Sequence, residues 1–302
     1  FQAEDGIRDR SPSRGLGDVY KRQLYDVRQL TGAIGAEVIG VDLRQLNSKS
    51  VSDLWEKLLK YQAIFIRGQD LTPEALLHVG KSFGEILKPH AGLTEVPEKP
   101  EVMLAETRDG EGFGKYNTRW HSDVSFDEIP PSVSIIQAIK LPPQGGDTLF
   151  ASMYAAYESL SEPIKKMVNG LEALHEGAPA FSWALLDPAS ADGKERLEQM
   201  KKEHPGAVHP VVRVHPETNR KALYINRSFT TRILGLSEVE SRNLIDLLCE
   251  HSEQVAFQMR WQWTEGDIGM WDNRCTMHCA VMDYGKAHRV MHRITLQGDR
   301  PS

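Results

Sequence analysis

Cysteine is scarce in this chain: three residues in 302, Cys249, Cys275 and Cys279. Three clustered thiols cannot supply the paired framework of a disulfide-stapled domain, so an ordinary core in a reducing cytoplasm is expected. Long apolar runs are missing too, and none approaches the roughly 18 residues a membrane-spanning helix needs. No basic segment, apolar segment and small-residue cleavage site follow one another at the start, so no export signal is read. Positive charge is in short supply, with 36 Lys and Arg against 42 Asp and Glu and a net charge of −6. That balance argues against a general nucleic-acid binder, although a small anion could still find a locally positive pocket. Neither a G-x-S-x-G elbow nor a G-x-x-x-x-G-K-[ST] loop occurs, so serine-hydrolase and nucleotide-dependent readings lack their key residues. Internal repeats and low-complexity tracts are also absent.

What remains is the composition of a folded globular protein, 40% hydrophobic and 26% charged. Residues 1–23 differ from the rest. They are polar, rich in Arg, Asp and Gly, and without helical or strand periodicity, as in a disordered arm or a stretch foreign to the natural protein. From Leu24 the pattern is that of one catalytic domain, 24–302. A short strand is expected around Gly35–Val41, an amphipathic helix over Ser50–Tyr61 and an apolar strand at Ala63–Ile66. Thr72-Pro73-Glu74 supplies a cap, a first-turn proline and an early acid for a helix running to Phe83. Further strands are expected at Ser132–Ile139, Thr148–Phe150, Val255–Trp263, Ile268–Trp271 and Arg289–Leu296. Val211–Val214 and Ala222–Ile225 should form a hairpin, its turn carrying His215 at the surface. A helix broken at Pro163 should carry Met153, Tyr157, Leu160 and Ile164. Another, capped by Ser237, should bury Leu244, Leu247 and Leu248. Strands in both halves with helices between them, and no regular βαβ alternation, predict a mainly β fold with inserted helices, a sandwich or jelly roll.

The chemistry concentrates in Trp120-His121-Ser122-Asp123-Val124-Ser125-Phe126. In a strand, residues two apart share a face, so His121 and Asp123 could reach one metal, and a distant third His would complete a facial triad suited to Fe(II). Three ligands on one octahedral face leave three adjacent positions for a chelating co-substrate and dioxygen. An H-x-D tripeptide alone is weak, since a His beside an Asp is more often a structural hydrogen bond. Cys275, His278 and Cys279 suggest zinc instead, but no second Cys/His pair completes that set. Trp120, Trp261, Trp263 and Trp271 read as core, and Asp272-Asn273-Arg274 as a turn presenting His278.

Five segments, WHSDVSF, PPQGGDTLF, FTTRI, GMWDNRCTMH and HRVMHR, occur in the order and at the separations of the taurine dioxygenase/2,4-dichlorophenoxyacetate dioxygenase (TauD/TfdA) family, which the chain resembles from Leu24 to Pro301. The motifs lie nearest those of taurine dioxygenase. The resemblance implies a double-stranded β-helix core and an Fe(II)- and 2-oxoglutarate-dependent dioxygenase that consumes O2. It implies His121, Asp123 and His278 as iron ligands, with Thr148 and Arg289 on the distal carboxylate of 2-oxoglutarate. His90, Asn117, Val124, Phe181, Phe229 and Arg293 fall at substrate-lining positions. Leu93 and Ala180 stand where a tyrosine and a serine are expected, which implies a more apolar pocket than one shaped for taurine. The expected partner is a small organic anion, a sulfonate first, with sulfate esters, aryloxyalkanoates and other small acids as alternatives. A catalytically silent jelly-roll binding protein and a zinc hydrolase on the same ligands are the readings from other classes. No nucleic acid or membrane is expected, and a homo-oligomer is compatible. Arg289 and Arg293, ~13 Å apart along a strand, share a face, so the second charge should need its own anion. Deleting residues 1–23 should leave turnover and melting temperature unchanged; a large loss in either would make that segment part of the fold.

Overall fold

The protein is described by a computed structural model over residues 24–89, 94–112, 118–180 and 193–302. His90, Leu93, Asn117 and Phe181, named above as expected pocket positions, lie outside these residues, as does 1–23. Ten strands frame the interior. They are β1 (Asp26–Gln29), β2 (Ala36–Ile39), β3 (Ala63–Ile66), β4 (Lys99–Arg108) and β5 (Val133–Lys140), then β6 (Thr148–Ser152), β7 (Gln258–Trp261), β8 (Ile268–Asp272), β9 (Thr276–Ala280) and β10 (Arg289–Leu296). The large sheet runs β1-β2-β3-β8-β5-β10-β4 and ends on Glu95–Val96; the small sheet runs β7-β6-β9. The large sheet's pairings are antiparallel except β2 with β3.

Local chemistry explains the helices on the outer face. Helix α1 (Ser48–Tyr61) starts where the Asn47 side chain accepts from the N–H groups of Lys49 and Ser50, and stops at Gln62 in the left-handed region. Helix α2 (Pro73–Phe83) is capped by Thr72 with proline in its first turn, as the sequence predicts. Period-two alternation then sorts the large sheet. Ile64, Ile66, Ile135, Ile268, Met270, Ile294 and Leu296 pack beneath these helices against Leu54, Leu58, Leu76 and Val79. Phe65, Trp271 and Met291 face the other way and meet Phe150, Met259, Trp261 and Trp263 across the interior. Phe65 stacks on Trp261 at 4.2 Å between centroids and meets Phe150 edge-on at 5.4 Å. Gly269 is needed there, because a Cβ would lie 2.7 Å from the Trp263 ring. Truncating one such aromatic typically costs about 3–5 kcal/mol. Arg289 and Arg293 are buried on the same parity of β10 as Met291.

Several expectations need correction. Val255–Phe257 is a 3-10 turn with Val255 exposed, and the strand begins only at Gln258. Leu247 is exposed, and Ile245 takes its place in the core beside Leu244 and Leu248. The helix from Met153 is interrupted as expected, but the break falls at Leu160–Ser161, between Met153–Ser159 and Glu162–Val168, and Pro163 sits in the first turn of the second helix. The hairpin is present as Val212–Val214 with Lys221–Leu223, but His215 is fully buried, its Nε2 3.0 Å from Asp272 Oδ2.

A second buried histidine has consequences for stability. His175 lies with Nδ1 3.0 Å from Ser125 Oγ and Nε2 3.4 Å from Thr230 Oγ1, and its ring meets those of His209 and Tyr224. Burial, with His209 beside it, depresses its pKa to about 3. Between the ordinary histidine value and about 3 the unfolded chain therefore binds a proton that the folded chain refuses. Stability should fall as pH drops through that window, by at most about 1.4 kcal/mol per pH unit from this residue. His175→Gln should flatten that part of the dependence in urea titrations between pH 7 and 4. An unchanged slope would remove His175 as the cause.

Candidate metal and co-substrate site

His121, Asp123 and His278 come together as a buried group whose ligand atoms lie within 4.8 Å of one another. Asp123 Oδ1 is 3.8 Å from His121 Nε2 and 3.6 Å from His278 Nε2. The route differs from the expected single strand. His121 makes only an isolated antiparallel bridge to His278, with N–H to carbonyl contacts of 3.0 and 2.8 Å, and the chain turns at Asp123. Val124 follows with φ 50°, a left-handed conformation that a β-branched residue rarely adopts. Such strain costs on the order of 1–3 kcal/mol and concentrates at functional sites.

Protonation suits a cation. His121 Nδ1 lies 2.8 Å from the Arg119 carbonyl, an acceptor only, which keeps the proton on Nδ1 and frees Nε2. Burial lowers the pKa of both imidazoles, His278 strongly. Burial alone would raise the Asp123 pKa, but Arg293, the two histidines and the Ser134 hydroxyl outweigh it and hold the carboxyl well below its usual range. Two neutral imidazoles and one carboxylate, with no fourth protein donor grouped with them among the described residues, form an open donor set of the kind that Fe(II) takes.

Arg293 corrects another expectation. Its guanidinium does not stand unpaired: Nη2 is 2.5 Å from Asp123 Oδ2 and 3.2 Å from Ser134 Oγ, although Nε is buried without a partner. Arg289 is the unpaired one. It is buried, makes no hydrogen bond or ion pair with any described residue, and burial lowers its pKa. The nearby acids are engaged elsewhere, since Arg260 Nε donates to Asp147 at 2.6 Å and its Nη2 to Asp283 at 3.3 Å. Glycine at 146, with φ 77°, lets the chain pass against Arg289, because a Cβ there would lie 3.2 Å from Nε. Two residues on, Thr148 is buried and its Oγ1 accepts from the Trp263 indole N–H at 2.9 Å. The indole can only donate, so the threonine proton remains available for an acceptor. An unpaired buried cation and a free hydroxyl proton are what a dicarboxylate's far end requires.

Other candidates sort differently. Phe229 is buried and meets the His121 ring edge-on at 6.0 Å; Val124 and Ala180 are half-buried. Cys275 groups with His215 and Asp272 rather than with His278. That second group is a brace: both Asp272 oxygens accept from Arg274, and Oδ2 also contacts His215. Cys279 donates to the Thr118 carbonyl, so neither cysteine joins the triad. A cleft of about 600 Å³ is lined by Arg119, Arg227, Arg232 and Arg242 but includes none of the triad residues. Sequence reasoning missed Ser134 and the hydrogen bond of Trp263. A serine within an apolar strand on the parity of the inner face was the available signal for Ser134.

Comparison with known proteins agrees with this geometry. Residues 26–295 match the family described as "Taurine catabolism dioxygenase TauD, TfdA family". An alkylsulfatase of Acinetobacter baylyi is 36% identical, covering 92% of this chain and 86% of its own length. An alpha-ketoglutarate-dependent sulfate ester dioxygenase of Pseudomonas putida is 35% identical, covering 91% and 90%. The crystal structure of a taurine dioxygenase from Burkholderia xenovorans superposes with a TM-score of 0.76 at 34% identity, covering 92% of this chain and 90% of that one. By sequence, by fold and by its His-Asp-His group, the chain belongs to the TauD/TfdA family and is an Fe(II)- and 2-oxoglutarate-dependent dioxygenase.

Proposed function

We propose that the protein oxidises a small organosulfur anion, an alkyl sulfate ester or alkanesulfonate, at the carbon next to the sulfur-bearing group. The observation that carries this reading is the pairing of an open His121-Asp123-His278 group with two buried guanidiniums, of which only Arg293 has a protein carboxylate. In this reading the three residues hold Fe(II), and Arg289 and Thr148 hold the distal carboxylate of 2-oxoglutarate. Bound iron, with 2-oxoglutarate and O2, supplies the oxidation of a C–H bond, releasing succinate and CO2. The chain supplies orientation and a dry interior: neutral imidazoles, a carboxylate held ionised, and Phe229 against the His121 ring. Hydroxylation of the carbon bearing the sulfur group gives an unstable adduct. A sulfate ester then collapses to aldehyde and sulfate, and a sulfonate to aldehyde and sulfite.

Charge supports an anion. With Fe(II) and the 2-oxoglutarate dianion in place, their charges cancel, Asp123 offsets one arginine, and one positive charge is left. A sulfate monoester or sulfonate neutralises it, and Arg293, whose Nε has no partner, is the residue to contact it. Ala180, in the position where the family resemblance expects a serine, favours an alkyl chain over the aminoalkyl chain of taurine. The relatives that act on sulfate esters and alkyl sulfates support the same class. We read 24–302 as one catalytic domain, the two sheets as the faces of a double-stranded β-helix, and the buried free cysteines as fitting the cytoplasm.

Succinate release should be fastest with alkyl sulfates or alkanesulfonates lacking an amino group, and slower with taurine and aryloxyacetates. Arg293→Ala should reduce turnover of the anionic substrates at least tenfold. A neutral compound turned over best, or anionic turnover spared in Arg293→Ala, would overturn the assignment. Arg289→Ala should weaken 2-oxoglutarate binding by about 2–5 kcal/mol, the usual cost of truncating one partner of a buried charge pair. An unchanged 2-oxoglutarate requirement would assign the anchor elsewhere.

A further inference from the structure

We propose that Ser134 and Asn273 are positioning residues that fix the Asp123 carboxylate so that Oδ1 alone faces the metal; this rests on Asp123 being a metal ligand. Ser134 Oγ lies 2.6 Å from Asp123 Oδ2, Asn273 Nδ2 lies 2.9 Å from Ser134 Oγ, and the Trp271 indole N–H lies 2.9 Å from Asn273 Oδ1. All of these groups are buried.

Donor and acceptor capacities fix the direction of every link. An indole N–H only donates, so the Asn273 atom facing Trp271 must be its oxygen, and its amide nitrogen must face Ser134. The amide N–H and the Arg293 guanidinium, 3.2 Å away, are both donors and occupy the serine's acceptor side. The single serine proton then has one acceptor within reach, Asp123 Oδ2. The chain Trp271 to Asn273 to Ser134 to Asp123 therefore runs one way and cannot reverse without leaving a buried donor unmatched. Oδ2 is occupied from two sides, by Ser134 and Arg293, while Oδ1 points between the two imidazole Nε2 atoms. Asn273 also sits behind the turn, its Oδ1 3.4 Å from the Asp123 N–H, and its carbonyl accepts from Ser122 Oγ at 2.6 Å. One asparagine thus holds both the backbone and, through Ser134, the side chain of this ligand. Partners behind a metal ligand commonly contribute 10- to 100-fold in affinity.

The test uses direct Mn(II) and anaerobic Fe(II) titration of the full chain, beside its thermal midpoint. Ser134→Thr and Ser134→Val present nearly the same shape and differ in the hydroxyl. The Thr variant should bind either metal at least tenfold more tightly than the Val variant. Asn273→Asp should weaken binding although the serine remains, because a carboxylate acceptor on each side competes for one proton. Ser152→Ala removes a buried hydroxyl bonded to Gln62 in the small sheet and should change the midpoint without changing metal affinity. Equal affinity in Thr and Val variants, or wild-type affinity in Asn273→Asp, would overturn the proposal. Should His278→Ala still bind metal like the wild type, the triad itself is the wrong assignment. That outcome is separate from a failure at Ser134.

Discussion

Two guanidinium groups buried on the inner face of one strand are the constraint around which the interior is arranged. An arginine cannot shed its charge, and truncating one side of a buried pair typically costs about 3–5 kcal/mol. Arg293 meets the constraint within the protein, through Asp123. Arg289 has no such partner among the described residues, and Arg260 engages Asp147 and Asp283. Four residues apart on β10, the two arginines therefore have different tasks. One is paired with Asp123 in the group of candidate ligands, and the other has no partner among the described residues.

The aromatic core does more than fill space between the sheets. Trp263 and Trp271 both belong to it, and each aims a donor-only N–H at a polar group beside the site. Trp263 occupies the acceptor side of Thr148; Trp271 sets the orientation of Asn273 and, through it, of Ser134. Packing and polar orientation are thus carried by the same side chains. Gly269 is part of this arrangement, since a side chain there would crowd the Trp263 ring. A core substitution at these positions disturbs hydrogen-bond direction as well as volume.

Much of this was legible in the sequence, for physical reasons that differ by element. Ala63–Ile66, Arg289–Leu296 and the Thr72-capped helix have the expected bounds because burial period and capping chemistry are local. The three ligand candidates were legible through motif order, and the structure brings them within reach of one ion. His215 was misread because a Pro-Glu-Thr-Asn turn looks exposed, whereas Asp272, distant in sequence, draws its ring inward. The expected strand through His121 and Asp123 failed because the left-handed Val124 contradicts the preference of its own side chain. Long-range contacts help to hold that turn, among them the bridge to His278 and the Asp123 N–H donating to Asn273 Oδ1. The partnership of Arg293 with Asp123 was likewise invisible, since it joins residues 170 positions apart across the fold.

These long-range contacts also fix which parts of the fold the candidate metal site joins. His278 belongs to the small sheet, and His121 is tied to it by the bridge. Asp123 is held from the large sheet, by Ser134 of β5, Arg293 of β10 and, past the end of β8, Asn273. An ion on the three residues would therefore clamp one sheet to the other beside the left-handed Val124. Binding energy for the folded form adds to its stability by mass action, so an ion held there would offset the cost stored at Val124. The Arg293–Asp123 pair matters without an ion as well: it keeps the carboxylate charged and in position, so the three candidate ligands are grouped by the fold itself.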